Sequence, residues 1–329
     1  MKSAQRSAIG VVAVVLVGCV ASAQERSASW WSPRVGEAKP AIDYSLTSHF
    51  NEPVAQQRTK MHMVQHDFRF SFPLSQSEHH EWTLQTNLKA LDLDSDARLP
   101  DTCDLFPGEL WDVRFGTTYR HLFDNGWMGG GNLTVGSPSD RPFASGEGIL
   151  VAATGFLRVP HSERNAWLFF LNYSNNREFL PNVPVPGVAY HYRPDEHLSL
   201  LAGIPMTMIR WEPLDKLALE ASYFIPRTVH AQVGYDLLEP LRVYAGFDWT
   251  NQRFFRHDRP DDDDRLCYYE KRVALGTRWD IRDNVWLDVA GGWAFDRFWF
   301  EGEDYGDRGD NRLGLSDGPF VKLQLGLRL

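Results

Sequence analysis

The last ten residues, FVKLQLGLRL (Phe320 to Leu329), set Val321, Leu323, Leu325, Leu327 and Leu329 in strict alternation with Lys322, Gln324, Gly326 and Arg328. Successive side chains of a strand point to opposite faces, so this segment has one wholly apolar face and one polar face. Period-2 alternation recurs from residue 41 onwards, and neither an amphipathic helical stretch nor a Pro- or Gly-rich linker interrupts it. The chain therefore reads as one all-β domain. A soluble sandwich also alternates, and the rest of the sequence must say what covers the apolar face.

At the other end, Lys2 and Arg6 precede a 12-residue apolar run, IGVVAVVLVGCV (Ile9 to Val20), followed by ASAQ. This is the pattern of a secretory signal peptide. The run is shorter than the ~20 residues a membrane helix needs, and no later stretch is as long or as apolar, so any membrane contact falls to strands. Two cleavage readings stay open: a small-residue site at Ala21, Ser22 and Ala23, and LVGC (Leu16 to Cys19), which has the form of a lipoprotein box acylated at Cys19. The expected organisation is a signal peptide over 1–23, an N-terminal segment over 24–40 and a barrel over 41–329.

The formal charge of -9 becomes more negative once Lys2 and Arg6 are removed, which argues against a nucleic-acid partner. The mature chain keeps Cys103 and Cys267, each beside acidic residues, which read as unrelated free thiols or as a disulfide between loops.

Four connections share one pattern, an aromatic residue followed after five turn-forming residues by an aliphatic one: YRPDEHL, WEPLDKL, YDLLEPL and WDIRDNV, opening on Tyr192, Trp211, Tyr235 and Trp279. They mark tight hairpins. Between them lie long polar segments such as RHDRPDDDDR (Arg256 to Arg265) and EGEDYGDRGDNRLGLSDG (Glu301 to Gly318). Short turns at one end and long loops at the other are the asymmetry of an outer-membrane barrel, and the four aromatics then sit at one membrane interface. In lipid every backbone polar group needs a partner, so the last strand must pair with the first. Val321, Leu323, Leu325, Leu327 and Leu329 would face lipid, and such a terminal strand is a recognition element for the barrel-assembly machinery, although a terminal Phe is usual where this chain has Leu329. The expected fold is a transmembrane antiparallel up-and-down β-barrel of about 12–16 strands, with residues 197 to 211 either one bent strand or a hairpin. The expected location is the outer membrane, in contact with its lipid.

GSPSDRPF (Gly136 to Phe143), PVPGVAYHY (Pro184 to Tyr192), GIPMTMIRWEP (Gly203 to Pro213) and FDRFWFEGEDYGDRGDNRLGLSDGPF (Phe295 to Phe320) resemble segments of an uncharacterised family of bacterial outer-membrane β-barrels, a domain of unknown function. The resemblance implies a barrel over most of the mature chain and brings no catalytic residues with it.

Carrying the alternation back from the C-terminus gives a lumen-facing set of Arg210, Glu220, His230, Arg242, Asp248, Glu270, Arg272, Arg278, Asp288, Asp296, Lys322 and Arg328. The signs nearly balance, which suits cross-strand pairs and, for a pore, weak ion selectivity. The function expected is a weakly selective pore for small solutes; the alternative is a closed barrel with a structural or surface-binding role. Strand number bears on the choice, since 8 strands leave a filled interior and 16 to 18 an aqueous one. No GxSxG or HExxH singles out a nucleophile or base, so no enzyme and no cofactor is expected. Met61, His62, Met63 and His66 cluster in sequence, but on a strand the two histidines face away from the two methionines, so no metal site is expected. The acidic runs Asp261 to Asp264 and Asp304, Asp307, Asp310 do not follow the EF-hand pattern and read as solvated loops.

Overall fold

A computed structural model describes residues 34–329 apart from Asp101 and Asp310. The apolar run Ile9 to Val20, both cleavage sites and Asp310 lie outside the described residues. Seventeen strands are formed among those described: β1 (Ala41–Pro53), β2 (Lys60–Gln76), β3 (His80–Asp94), β4 (Glu109–Leu122), β5 (Met128–Ser139), β6 (Leu150–Pro160), β7 (Ala166–Ser174), β8 (Val185–Tyr192), β9 (Leu198–Ile204), β10 (Met206–Leu214), β11 (Leu217–Phe224), β12 (Thr228–Leu238), β13 (Leu241–Phe254), β14 (Arg265–Arg282), β15 (Val285–Gly302), β16 (Arg312–Leu315) and β17 (Gly318–Arg328). The segment 197 to 211 is a hairpin, β9 and β10.

β1 to β15 pair in sequence, each antiparallel to the next; β17 then pairs with both β15 and β1. These strands make a closed ring of sixteen. The closing register runs from Ala41 opposite Arg328, through Leu46 opposite Leu323, to His49 opposite Phe320. β16 pairs with the outer end of β15, its Leu315 also bridges Val54 just beyond β1, and it is not part of the ring. No described helix is long and apolar enough to cross a membrane.

Closure leaves no free sheet edge, and alternation gives the ring two faces. Leu133, Val135, Val273, Trp293, Val321, Leu323 and Leu325 point outward and are exposed, with Leu275 at 71% and Val289 at 51%. A belt of large apolar side chains around an edgeless sheet is stable in hydrocarbon and not in water. The chain is an integral outer-membrane β-barrel, its belt in contact with lipid. Tyr192, Trp211, Tyr235 and Trp279 are exposed on the same outer face, at the inner, periplasmic ends of β8, β10, β12 and β14.

The face assignment has a direct test at mid-strand in β5, where Leu133 points to lipid and Thr134 points inward between Gly116 and Ala152. Leu133→Arg is expected to cost about 2–4 kcal/mol and to abolish assembly, whereas Thr134→Arg enters space left by small neighbours and assembles. The yield of heat-modifiable protein in outer-membrane fractions reads both. Equal yields would mean that β5 has no lipid face.

The wall is uneven. β8, β9, β10 and β11 have 8, 7, 9 and 8 residues, whereas β14 and β15 have 18 each. About 9–11 residues cross the hydrocarbon, so the β8–β11 side barely spans the bilayer and the β14–β15 side stands well above it. The expected asymmetry of the connections is accordingly incomplete. Inner turns are short, but so are two outer ones, residue 205 and residues 225–227, where the wall is low.

Candidate functional site: the lumen and its outer closure

Inside the ring the inward positions are polar at mid-height, and they are cross-linked. His230 and Asp248 face each other across β12 and β13, with Nδ1 2.9 Å from the carboxylate. The other oxygen of Asp248 lies 3.5 Å from the Arg272 guanidinium, which also lies 3.3 Å from Glu270. Glu270 in turn lies 3.5 Å from His49 on β1 and 3.8 Å from Arg297 on β15, and accepts a 3.0 Å hydrogen bond from the Tyr268 hydroxyl. Every member of this chain except Asp248 is less than 9% exposed. Taking such charges out of water is costly, and mutual pairing is what makes it tolerable.

Towards the outside the polar layer gives way to an apolar plug. Met61 and Met63 of β2, Leu91 and Leu93 of β3, Phe254 of β13, Tyr268 of β14 and Trp299 of β15 pack with Ala97, Leu99 and Phe106 of the β3–β4 loop and with Leu313 and Leu315 of β16. Trp299 sits among Tyr268, Phe106 and Phe254 at ring-centroid distances of 4.6, 5.0 and 6.4 Å. Gln252 on β13 bonds Lys89 on β3 and Gln65 on β2, both at 2.9 Å, so the lumen is bridged at this level.

The tall strands then lean across the mouth. Phe255 N–H donates to the Pro138 carbonyl at 2.7 Å, and Phe255 bridges Ser139 of β5, which is eight places around the ring from β13. In the same loop Arg256 is buried, lying 2.9 Å from Glu301 and 3.1 Å from Asp104. The Thr102 hydroxyl and Arg256 together hold the Asp104 carboxyl below its ordinary pKa. His257 N–H donates to Asp140 at 2.8 Å. Arg265 to Glu270 are buried on both faces, the inner against the plug and the outer, at Cys267 and Tyr269, against Phe298, Phe300 and Tyr305.

Below the plug a recess of about 70 Å³ opens on the β11–β17 side. Of the residues the alternation assigns to the lumen, Glu220, His230, Arg242, Asp248, Arg272, Arg278, Asp288 and Lys322 line it. Arg210 lies apart on the low wall, 2.8 Å from Glu212 and 3.4 Å from Glu220. Glu270 is in the buried chain above, and Arg328 is exposed at the periplasmic rim.

Asp296 is a correction. The register between β14 and β15 shifts here, and Asp296 has φ +49, so a bulge rotates it to the outer face, where it pairs with Lys271 at 2.7 Å and Arg312 at 3.3 Å. Arg297 takes the inward place. Counting alternation through a bulge assigns every residue beyond it to the wrong face.

His49, Gln65, Lys89 and the pairs Asp112–Arg114 and Glu81–Arg120 are lumenal residues that the C-terminal count did not reach. The same alternation followed into β1 to β4 would have found them. Arg34 to Pro40 run inside the periplasmic rim: the Arg34 carbonyl accepts from Arg120, Gly36 N–H donates to Glu81, and Val35 packs on a lumenal apolar patch that includes Met128 and Leu168.

Met61 and Met63 are in the plug, whereas His66 is on the opposite face, 2.8 Å from the Tyr44 hydroxyl. Among the described residues no group of three or more His, Cys, Asp or Glu gathers as a metal site would require. Cys103 is exposed, Cys267 is buried, and both are free thiols.

No family model and no curated protein matches the chain. Solved structures similar to it are outer-membrane barrels. An outer-membrane channel from Pseudomonas putida F1 is 8% identical, with a TM-score of 0.39, over 89% of this chain and 96% of that one. OccK7 (OpdD) of Pseudomonas aeruginosa is 9% identical, with a TM-score of 0.39, over 89% and 99%. OprB of Pseudomonas putida is 7% identical, with a TM-score of 0.34, over 94% and 97%. The likeness is one of architecture.

Proposed function

We propose that the barrel is a pore for small solutes, with weak ion selectivity and an outer mouth closed by a displaceable gate, the 255–264 loop together with the plug beneath it. The observation that carries this reading is how the mouth is closed. The ring of sixteen strands keeps a polar, charge-lined interior, and the closure is made by a loop and side chains resting on the rim. The wall itself does not collapse inward. In the lumen the Ser199 hydroxyl lies 3.0 Å from His191 Nε2, but among the described residues no carboxylate orients that ring, and the reading is non-enzymatic. Delivery to the membrane by the barrel-assembly machinery, with β17 as the recognised strand, belongs to the same reading.

The apolar plug favours a second reading, a permanently closed barrel with a structural or surface-binding role. Conductance of purified protein in planar bilayers separates the two. Arg256→Ala takes from the buried Glu301 the guanidinium 2.9 Å away and unties the loop from Asp104. A buried pair broken on one side costs about 3–5 kcal/mol, enough to shift a closed gate about a hundredfold or more towards open. Rare, brief openings are expected for the native protein and long ones for the variant, with cations and anions passing at similar rates. Silence from both would leave the closed barrel.

A further inference from the structure

The recess beneath the plug holds one cation, Lys322, that no carboxylate contacts directly. Its carboxylates are already engaged. One oxygen of Asp248 takes His230 and the other Arg272, Asp288 accepts from the Tyr244 hydroxyl at 2.7 Å, and Glu220 faces Arg210. Lys322, by contrast, makes no ion pair or hydrogen bond with any described residue, although its ammonium offers three donors and no acceptor. Trp286, also in the lining and 94% buried, has an indole N–H with no hydrogen-bond partner. Arg278, which donates to Asp280 at 3.2 Å, lies 4.5 Å from the Trp286 ring and brings a second cation to the same wall.

The space exists because the facing positions are small: Gly246, Ala274 and Ala290 lie on the adjacent strands β13, β14 and β15. A cavity of ~150 Å³ takes benzene, so a recess of about 70 Å³ that opens to the lumen suits a molecule of only a few heavy atoms. A neutral solute would leave the Lys322 ammonium unmatched.

We propose that this recess is a binding site for a small carboxylate, with Lys322 as its principal ligand and Arg278 and the Trp286 N–H beside it. It lies on the periplasmic side of the plug, because Ala274 and Arg278 follow Tyr268 along β14 as that strand descends from its outer end. The site is therefore filled from the periplasm while the outer mouth stays closed.

The test is equilibrium binding of ¹³C-acetate to the detergent-folded barrel, followed by NMR line broadening, with acetamide as the neutral isostere. Saturable binding of acetate and none of acetamide is expected. Lys322→Gln should weaken acetate about tenfold or more, the worth of one charge-assisted hydrogen bond, while Lys322→Arg retains it. Gel mobility before and after heating shows that each variant is folded; should Lys322→Gln not assemble, Trp286→Phe, which removes only the N–H, serves in its place and should weaken binding severalfold. Absence of saturable binding, equal binding of acetamide, or unchanged affinity in the folded variants would overturn the site. Binding at equilibrium does not depend on conduction, so a silent barrel that holds acetate would remove the pore and leave this site standing.

Discussion

Glu270→Ala is expected to lower the temperature at which the barrel unfolds in detergent more than any other single change in its wall. Glu270 is the anion at which His49, Arg272 and Arg297 meet, and it accepts from Tyr268. Removing it leaves two guanidinium groups, on β14 and β15, buried with less counter-charge. Stranding one partner of a buried pair costs about 3–5 kcal/mol, through desolvation that is no longer offset. Because His49 is on the first strand and Arg297 next to the last, the loss falls where the ring closes. Glu270→Gln keeps the shape and one acceptor and should lie between native protein and Glu270→Ala. The measurement is the temperature, at fixed heating time, at which the fast-migrating folded band disappears. A Glu270→Ala barrel as heat-stable as native would show that the buried chain contributes nothing to closure.

Much of the architecture was legible because the governing physics is local and periodic. Two-residue alternation and turn chemistry identify the strands, and the bilayer's demand that every backbone group be paired turns strands into a closed ring. The four turns opening on Tyr192, Trp211, Tyr235 and Trp279 report their end of the barrel through one repeated spacing. Strand number was less accessible. The low wall is made of strands of 7 to 9 residues, at or below the length a membrane strand is expected to have. Its outer turns at Pro205 and Pro226 are as tight as periplasmic ones.

The lumen was legible only by face. Alternation separates inside from outside, and it places Lys322 and Asp288 inward. It cannot see a bulge, which is why Asp296 and Arg297 exchange sides. Nor can it see that an inward side chain will be covered. Gln324 is 5% exposed although its face is the lumenal one, because Trp286 and the strands beside it fill that part of the interior. The plug is a long-range event: Phe106 from a loop, Phe254 from β13 and Leu313 from β16 come together over distances in sequence that no local pattern encodes. The inward-facing apolar residues at the outer ends of β2 and β3, Met61, Met63, Leu91 and Leu93, were its one available signal, since a wet lumen has no use for four together.

Trp299→Ala is expected to divide the plug from the wall. Trp299 is fully buried, with Phe106, Phe254 and Tyr268 around it. Truncating a buried Trp to Ala costs about 3–5 kcal/mol in lost contacts and residual cavity. The backbone ladder between β14 and β15 is untouched, so the cheapest relief is local: the 95–108 loop, anchored through Phe106, detaches while the ring remains closed. The expected result is faster proteolysis within that loop and longer openings in bilayers, with little change in the unfolding temperature that Glu270→Ala lowers. Trp299→Phe is the control. The indole N–H has no hydrogen-bond partner, so its loss costs nothing in hydrogen bonding, and a phenyl ring fills most of the space. If Trp299→Ala instead unfolds the barrel at the same low temperature as Glu270→Ala, with no gain in conductance, then plug and wall are one cooperative unit. A gate that cannot open without unfolding its frame is not a gate, and the closed barrel would be the correct description.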